Sequence, residues 1–260
     1  MPSFAQGFRV QARVVGALMV REVSTRFGRE NIGFLWIMVE PLLFAGLVAL
    51  MWQFMKGSEE HGISVVTFTI TGYIPLVLFR QSVSRSVLLF RVNAGLMYHR
   101  QIKILDFVFV RFLLEFIGHM MAYFFIAVAL YAFGIFPEPY DLGFILLGWL
   151  YYSYFTLAVS FVLAPLSEMS ETIEKLTPVA TYLMIPFSGT FNMMSWIAPG
   201  ARDILLYSPP VHGMEMMRYG VFGPKLTVYY DFFYPLLFSS VMLAVGLFLC
   251  RRVRRTLAVE

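Results

Sequence analysis

One set of charged side chains lies at helical spacing inside an apolar stretch of the chain. Arg111, Glu115 and His119 follow one another at four-residue intervals, so they share one face of a helix. Because a charge inside a membrane is costly, such groups usually face a partner or a wet cavity. Two interpretations stay open: an Arg111–Glu115 pair that only stabilises the helix, or contact with an anionic group of a ligand.

A second set of charged side chains, His212, Glu215 and Arg218, lies nearer the end of the chain. The three follow at three-residue intervals and again share one helical face. They could pair with one another and hold a short helix in place, or they could contact a ligand directly. Spacing alone leaves both interpretations open.

Several kinds of chemistry are missing from the sequence. It contains no glycine-rich phosphate loop ending in Gly-Lys-Ser/Thr, no helix with paired metal-binding histidines and no nucleophile elbow. The single cysteine, Cys250, excludes an intramolecular disulfide and a Cys-rich metal site. We therefore expect no ATP hydrolysis, no metal and no covalent chemistry from this chain. Energy for any work would come from an ion gradient or from a partner chain.

Six apolar segments must position the charged groups. Each is about long enough to supply the roughly 20 helical residues that cross a bilayer core. The segments are 34–55, 63–79, 104–133, 142–165, 176–199 and 232–250. With 59% hydrophobic and 14% charged residues, the composition lies outside the range of an ordinary soluble domain. The sequence predicts an all-α integral membrane protein, a single domain with six transmembrane helices.

Positive charges are distributed unevenly around these segments. Most of the 20 Lys and Arg residues precede segment one, separate segments two and three, or follow segment six in a basic tail at 251–260. Since positive residues are retained in the cytoplasm, both termini are predicted to be cytoplasmic. The basic excess then reflects membrane orientation, and nucleic-acid binding is not expected.

The first 33 residues show the spacing of an amphipathic helix at the membrane interface, the alternative being a solvated arm. The apolar face would consist of Val20, Val23 and Phe27, and the charged face of Glu22, Arg26 and Arg29. We expect this interfacial helix to lead into segment one.

An external stretch, 199–231, separates segments five and six and is rich in Met, Val, Tyr and Phe. Such a stretch re-enters the membrane as broken helices when its backbone is buried in protein. We predict an external re-entrant gate here. Its candidate residues are Pro209, Pro210, His212, Glu215 and Arg218.

Aromatic side chains are concentrated in segment four. The cluster consists of Trp149, Tyr151, Tyr152, Tyr154 and Phe155. Aromatic faces stack on sugar rings and tyrosine hydroxyls bond their edges, so the cluster could form a ladder for a sugar ligand. Tyr and Trp are also ordinary anchors at membrane interfaces, and both interpretations stay open. The same two apply to three residues of segment five, Tyr182, Phe187 and Phe191.

Glu40 and Pro41 place a carboxylate and a predicted kink early in segment one. A kinked first helix could form half of a lateral gate, with segment five as the other half. The alternative is a bend that only repacks the fold.

The cytoplasmic connection 81–103 is too charged to enter lipid, yet it contains several apolar residues, and we expect it to dock against something. A second cytoplasmic stretch carries Glu168, Glu171 and Glu174 at three-residue spacing. It could meet basic residues of a partner or form a solvated turn.

The order of several motifs resembles the ABC type-2 export permeases, and within them the subunits that export capsular polysaccharide. Segment one matches through Arg26-Phe-Gly-Arg-Glu-Asn-Ile-Gly33, Phe34-Leu-Trp36 and Glu40-Pro41. Later matches are Thr71-Gly-Tyr-Ile-Pro75, Phe79-Arg80, Asn93, Leu96, Gln101-Ile-Lys103, Asp106, Arg111 and Leu114-Glu115. The external stretch matches through Ser208-Pro-Pro-Val-His212-Gly-Met-Glu215-Met-Met-Arg218, Phe222-Gly-Pro224 and Tyr229-Tyr230-Asp231. The resemblance covers nearly the whole chain.

This resemblance implies a half-transporter in the bacterial inner membrane. Two copies of the chain would pair with two copies of a cytoplasmic nucleotide-binding ATPase, which would bind ATP and Mg while this chain binds no cofactor. The ATPase would push on a coupling loop, whose candidate residues are Arg91, Asn93, Leu96, Met97, Tyr98, His99 and Arg100. The substrate would be a lipid-linked polysaccharide, passed on to periplasmic and outer-membrane export proteins.

The conduit would form between the two copies of the chain. Its candidate residues, with those of the lateral gate, are Trp36, Glu40, Pro41, Arg80, Arg91, Arg111, Glu115, Trp149, Tyr151, Tyr152, Tyr154, Phe155, Tyr182, Phe187 and Phe191. Arg80, Arg91 and Arg111 would favour an anionic substrate. Three alternatives remain: export of O-antigen, teichoic acid or another glycolipid by the same architecture, an ion-coupled secondary transporter, and a membrane enzyme that uses His212 and Glu215 as acid and base.

Overall fold

The computed structural model describes residues 4–27, 33–97 and 101–257. These residues form ten α-helices: α1 (Phe4–Phe27), α2 (Gly33–Lys56), α3 (Val65–Ser86), α4 (Leu89–Val92), α5 (Ile104–Ala132), α6 (Leu142–Met169), α7 (Glu171–Leu183), α8 (Pro199–Leu205), α9 (Pro209–Phe222) and α10 (Phe233–Leu257). Two short strands, β1 (Glu59–Glu60) and β2 (Ile63–Ser64), pair antiparallel between α2 and α3. The fold is mostly helical, as predicted, with this one small hairpin in addition.

Four helices among the described residues are long and apolar enough to cross a membrane. They cover Met38–Lys56, Ile104–Ala132, Leu142–Met169 and Phe233–Arg254. Helix α3 has a comparable length of 22 residues but carries buried threonines, at Thr67, Thr69 and Thr71, on its first turns. Neighbouring helices cover most of its surface, so α3 tolerates polar groups that a lipid-facing helix would expose.

The fifth apolar segment does not form one membrane-length helix. Helix α7 has only 13 residues, about 20 Å at 1.5 Å per residue, against a bilayer core of about 30 Å. Two 3₁₀ turns follow, at Pro186–Ser188 and Met194–Trp196. A proline cannot donate the next helical hydrogen bond, and Gly189 has a left-handed φ of 71° that ends the helical path. The prediction of a single helix over 176–199 is therefore wrong.

Helix α6 lies at the centre of the structure, where α9 and α10 pack against it at the distance of backbone contact. A Cβ atom on Gly148 would lie 2.6 Å from the backbone nitrogen of Met217 in α9. On the side of α10, a Cβ on Gly246 would lie 2.7 Å from the carbonyl carbon of Phe161. Both glycines are therefore required by close approach of neighbouring helices.

Helix α1 packs on the protein through its middle turns. The residues that contact the core are Val14, Val15, Leu18, Met19 and Val23, which join a cluster from α5 and the end of α10. The predicted apolar face is right for Val23, but Val20 is 69% exposed. The Phe27 side chain and Arg29 lie outside the described part. A solvated arm is excluded, because Leu18 is buried in the core.

Candidate functional site

An apolar groove of about 490 Å³ opens between α3, α6, α7 and α10. Its walls include Phe79, Val83, Phe155, Thr181, Met184, Phe187 and Met242. At one end it reaches the α8–α9 connection, where Ile204 and Tyr207 contribute. With few polar groups in its walls, the groove is suited to holding an apolar chain or the apolar face of a larger molecule.

The aromatic residues of α6 point in different directions and do not form a single ladder. Trp149 is buried beside Tyr123, and Tyr152 is 1% exposed. Tyr151 and Tyr154 turn toward α10: the Tyr151 hydroxyl donates to the Phe232 carbonyl oxygen at 3.1 Å, and the Tyr154 hydroxyl lies 3.0 Å from the Ser240 Oγ. Since successive helical residues are about 100° apart, five aromatics in seven positions cannot share a face. Phe155 is the one of these five that lines the groove.

The aromatic residues of the fifth segment are likewise divided. Phe187 lines the groove, whereas Phe191 stacks on Trp52 of α2 with ring centroids 5.4 Å apart. Tyr182 is 57% exposed, and the guanidinium of Arg80 lies 3.9 Å from its ring centroid. Arg80 and Tyr182 therefore join α3 to α7 next to the groove.

Three of the predicted gate residues lie on α2, and they differ in their surroundings. Pro41 is buried within an α-helix that continues on both sides of it, and Trp36 is 53% exposed. The Glu40 carboxylate accepts from Gln81 Nε2 at 3.3 Å and lies 3.9 Å from an Arg85 nitrogen. Glu40 therefore links the start of α2 to α3.

Glu115 is a fully buried carboxylate with two arginine partners on other helices. Arg26 of α1 and Arg85 of α3 each place a nitrogen 2.6 Å from Glu115 Oε1. Arg111, four residues earlier on α5, pairs instead with Glu22 of α1 at 2.9 Å. The Arg111–Glu115 pair, one of the two interpretations left open, does not form in the described structure, because both groups reach across to neighbouring helices.

This charged cluster closes around the end of α3. Arg111 also donates to the Arg85 carbonyl oxygen at 2.5 Å, and His119 Nδ1 lies 2.8 Å from the Glu115 carbonyl oxygen. Ion pairs therefore connect α1, α3 and α5 around the end of α3. We call Glu22, Arg26, Arg85, Arg111 and Glu115 the inner charge cluster.

The predicted coupling loop and the residues just before it are folded and partly buried. Leu89 and Phe90 are buried, while Asn93 donates to the Leu89 carbonyl oxygen at 2.9 Å and accepts from Arg21 of α1 at 2.8 Å. Leu96 and Met97 pack on the cluster that also holds α1. Tyr98, His99 and Arg100 lie outside the described residues.

The outer side of this loop carries Arg91 and Val92, both exposed. Arg91 Nε lies 2.9 Å from Glu168 Oε1 at the end of α6, and Glu171 and Lys175 are exposed on the next helix. Arg91 thus already has a carboxylate partner, as Arg111 has. Their charges are engaged within the chain, and a preference for an anionic substrate stays a prediction.

Arg218 of α9 is fully buried and holds the broken part of the fifth segment. Its guanidinium donates to three backbone carbonyl oxygens: Gly189 at 2.6 Å, Asn192 at 3.0 Å, and Thr190. Its Cζ also lies 3.8 Å from the ring centroid of Phe68 in α3. The side chain therefore fixes an irregular backbone that has no helical hydrogen bonds of its own.

Glu215 and His212 likewise hold other loops in place through hydrogen bonds to their backbone. The Glu215 carboxylate accepts from the backbone nitrogens of Met194 at 3.2 Å and Tyr229 at 3.0 Å. His212 Nε2 lies 2.9 Å from the Leu206 carbonyl oxygen, and the Asp231 nitrogen donates to His212 Nδ1 at 2.9 Å. The three residues hold the external segment, and each does so through backbone partners and not by pairing with the other two. Both nitrogens of His212 are occupied, which speaks against an acid–base pair with Glu215.

The prolines of the predicted gate lie at the start of α9. Pro209 and Pro210 are both buried in its first turn, where the missing N–H groups need no helical partner. Along α9, all residues except Tyr219 are buried. A helix covered on nearly every side is part of the protein interior.

Comparison with known proteins shows which family the chain belongs to. The family described as "ABC-2 type transporter" matches residues 13–222, which is well over half of the chain. The chain belongs to the ABC-2 type transporter family. It is similar to the capsule polysaccharide export inner-membrane protein CtrC of Neisseria meningitidis serogroup B, with 37% identity over 94% of this chain and 92% of that protein.

Two further relatives cover the same share of this ABC-2 chain. The capsule polysaccharide export inner-membrane protein BexB of Haemophilus influenzae is 31% identical over 94% of the chain and 92% of the relative. The polysialic acid transport protein KpsM of Escherichia coli is 26% identical over 94% of the chain and 95% of the relative.

The sequence did not predict two sets of contacts in this family member. One is the part of the inner charge cluster outside α5, namely Glu22, Arg26 and Arg85, and the other is the Arg91–Glu168 pair. No sequence signal joins positions that lie so far apart along the chain.

Proposed function

We propose that this chain is the membrane subunit of an ATP-driven exporter that moves a lipid-anchored capsular polysaccharide across the bacterial inner membrane. The observation that carries the proposal is the near full-length similarity to relatives whose names state capsule polysaccharide export. The apolar groove beside α7 and the exposed outer side of the coupling loop are the features that such a subunit needs. The chain itself supplies the path, and a separate chain supplies the energy.

In this proposal the chain crosses the membrane six times, with both termini in the cytoplasm and the basic tail against anionic lipid heads. Helices α2, α3, α5, α6 and α10 provide five crossings. The fifth in chain order consists of α7 and the 3₁₀ turns after it, completed by the irregular backbone that Arg218 holds. Irregular backbone is stable at membrane depth only when protein buries it, which the burial of α9 supports. The segment from α8 to α9 is then the re-entrant external region.

Two copies of the chain form the transporter in this proposal, together with two copies of a cytoplasmic ATPase that binds ATP and Mg. Helix α2 offers a surface for a second copy or for lipid, because it exposes a series of large apolar side chains. These are Leu43, Phe44, Leu47, Leu50, Met51 and Phe54. The ATPase contacts Arg91 and Val92 on the coupling loop. Periplasmic and outer-membrane export proteins receive the glycan.

The conduit runs along the apolar groove, with Phe79, Phe155 and Phe187 as its aromatic contacts. The lateral gate lies between α2 and α7, near Glu40 and Tyr182. A groove with few polar groups lets a long glycan slide without one strong binding site to hold it. The gate admits the lipid anchor from the inner leaflet.

The test combines purification with export in cells. The chain is tagged in its native host and purified in mild detergent, and co-purifying proteins are identified by mass spectrometry. We expect an ATPase with a phosphate-binding loop in equal amount, and loss of surface polysaccharide when the gene is deleted. No ATPase, or an unchanged surface polysaccharide in the deletion strain, would overturn the proposal. Loss of O-antigen alone would reassign the substrate to another glycolipid.

A further inference from the structure

A second cavity of about 450 Å³ lies at the external end of the apolar groove. Its walls include Asp203, Tyr207, Tyr229, Tyr230, Asp231 and Tyr234, and we call it the tyrosine pocket. Tyr207 lines both cavities, so the pocket continues the groove beyond the α8–α9 connection. Four tyrosines and two aspartates give this end a chemistry unlike that of the apolar groove.

The pocket wall is fixed by contacts within the chain, and one ring remains open. The Tyr234 hydroxyl donates to the Tyr207 carbonyl oxygen at 2.6 Å, and the Arg202 guanidinium covers one face of the Tyr229 ring at 4.3 Å. The Tyr207 side chain is 76% exposed. Its backbone is held while its ring is available to a ligand.

Asp231 provides an ionised oxygen at the same pocket. Its Oδ1 accepts from the backbone nitrogens of Tyr234 at 2.8 Å and Phe233 at 2.6 Å, which hold the pKa of the carboxyl below its usual range. Within the described part of the chain, its Oδ2 has no hydrogen-bond partner. A carboxylate oxygen accepts hydroxyl donors strongly and repels other anions.

We propose that the tyrosine pocket binds one sugar ring of the exported glycan, with the ring stacked on Tyr207 and its hydroxyl groups donating to Asp231 Oδ2. This inference rests on the proposed function and adds a binding site to it. An exposed aromatic ring beside a carboxylate matches the two faces of a sugar, which is apolar along its C–H groups and polar at its hydroxyls.

A binding measurement on the intact complex tests the pocket. The chain and its co-purifying ATPase are placed in lipid nanodiscs free of sugar-headed detergent. The probe is a set of short oligosaccharides cut by mild acid from the host's own surface polysaccharide, and saturation-transfer NMR gives the dissociation constant. Three variants are compared: Tyr207→Ala, Tyr207→Phe and Asp231→Asn. Lys225→Ala, which changes an exposed residue away from the pocket, is the matched control.

We expect Tyr207→Ala to weaken binding about tenfold, the upper end of what an aromatic stack contributes. Tyr207→Phe keeps the ring and retains binding. Asp231→Asn keeps the oxygen that accepts from the backbone at the start of α10 but loses the charge, and weakens binding about tenfold. Wild-type affinity in both Tyr207→Ala and Asp231→Asn, or no binding to the wild-type complex, would overturn the inference.

Export in cells separates this inference from the proposed function. If the wild-type gene fails to restore surface polysaccharide to a deletion strain, the proposed function is wrong. If it restores the polysaccharide while both pocket variants bind and export as the wild type does, only the sugar site is wrong.

Discussion

Replacing Arg218 with methionine is the sharpest test of how the external segment is held. The substitution keeps an unbranched side chain that fills part of the same space but removes every donor. The carbonyl oxygens of Gly189, Thr190 and Asn192 then lose their partner. Each buried group left unpaired costs about 1–3 kcal/mol. Partial relaxation of the backbone makes the total smaller than three such costs added together. Removal of one member of a buried charged network typically lowers the free energy of unfolding by about 3–5 kcal/mol, and this is the loss that we expect.

The corresponding change in thermal stability is large enough to measure. For a chain of this size, 1 kcal/mol shifts Tm by about 2–4 °C, so we expect Arg218→Met to melt about 6–20 °C below the wild type. Arg218→Lys keeps the charge but has one nitrogen in place of a planar fork, so it should lie between the two. Melting is followed by tryptophan fluorescence in the same detergent for all variants.

Lys225→Met is the matched control, since it removes an exposed cation from the same external region. It should melt within about 2 °C of the wild type, as exposed charges contribute little. An Arg218→Met protein that melts with the control would refute the reasoning, because the three carbonyl contacts would then contribute nothing to stability.

Three further variants test the other contacts. Gly148→Leu should lower the free energy of unfolding by at least about 1–3 kcal/mol, because the new side chain overpacks against α9. Gly46→Leu is the control, since Gly46 has open space around it, and it should leave Tm nearly unchanged. Equal melting of the two variants would contradict the close contact between α6 and α9. Glu115→Gln should lower the unfolding free energy by about 3–5 kcal/mol, since it leaves two arginines without their carboxylate, and urea titration of unfolding checks this. Arg91→Glu should reduce ATP hydrolysis by the complex while lowering the free energy of unfolding by less than about 1 kcal/mol. Adding Glu168→Arg should restore hydrolysis. A double variant as impaired as the single variant would argue against the Arg91–Glu168 pair.

Helical spacing predicted which residues share a face but not which helix that face meets. Arg111 and Glu115 do lie on one side of α5, yet their partners come from α1 and α3. Sequence spacing shows which residues lie close together on one helix. Contacts between residues 89 positions apart depend on how the helices pack. The inner charge cluster was therefore only half predictable.

Other differences had a signal in the sequence. Pro186 and Gly189 lie inside the fifth apolar segment, and both residue types interrupt helices, so the break after α7 was open to prediction. The aromatic cluster of α6 was overinterpreted, because adjacent helical positions diverge and only Phe155 reaches the groove. The sequence around α9 led us to predict a re-entrant region, which requires a backbone buried in protein. The burial of α9 meets this requirement, and re-entry itself stays a prediction.

The ion pairs of α1 have a consequence for biosynthesis. Glu22 and Arg26 leave the ribosome first, but their partners on α5 follow 89 residues later. At about 5–20 residues per second, the nascent chain waits about 4–18 s before those partners are made. During that interval α1 lacks its ion pairs with α5, although it can already contact α2. Insertion of α5 thus completes the ion pairs of α1, whereas the apolar contacts of α1 with the end of α10 form only when the last helix of the chain has been made.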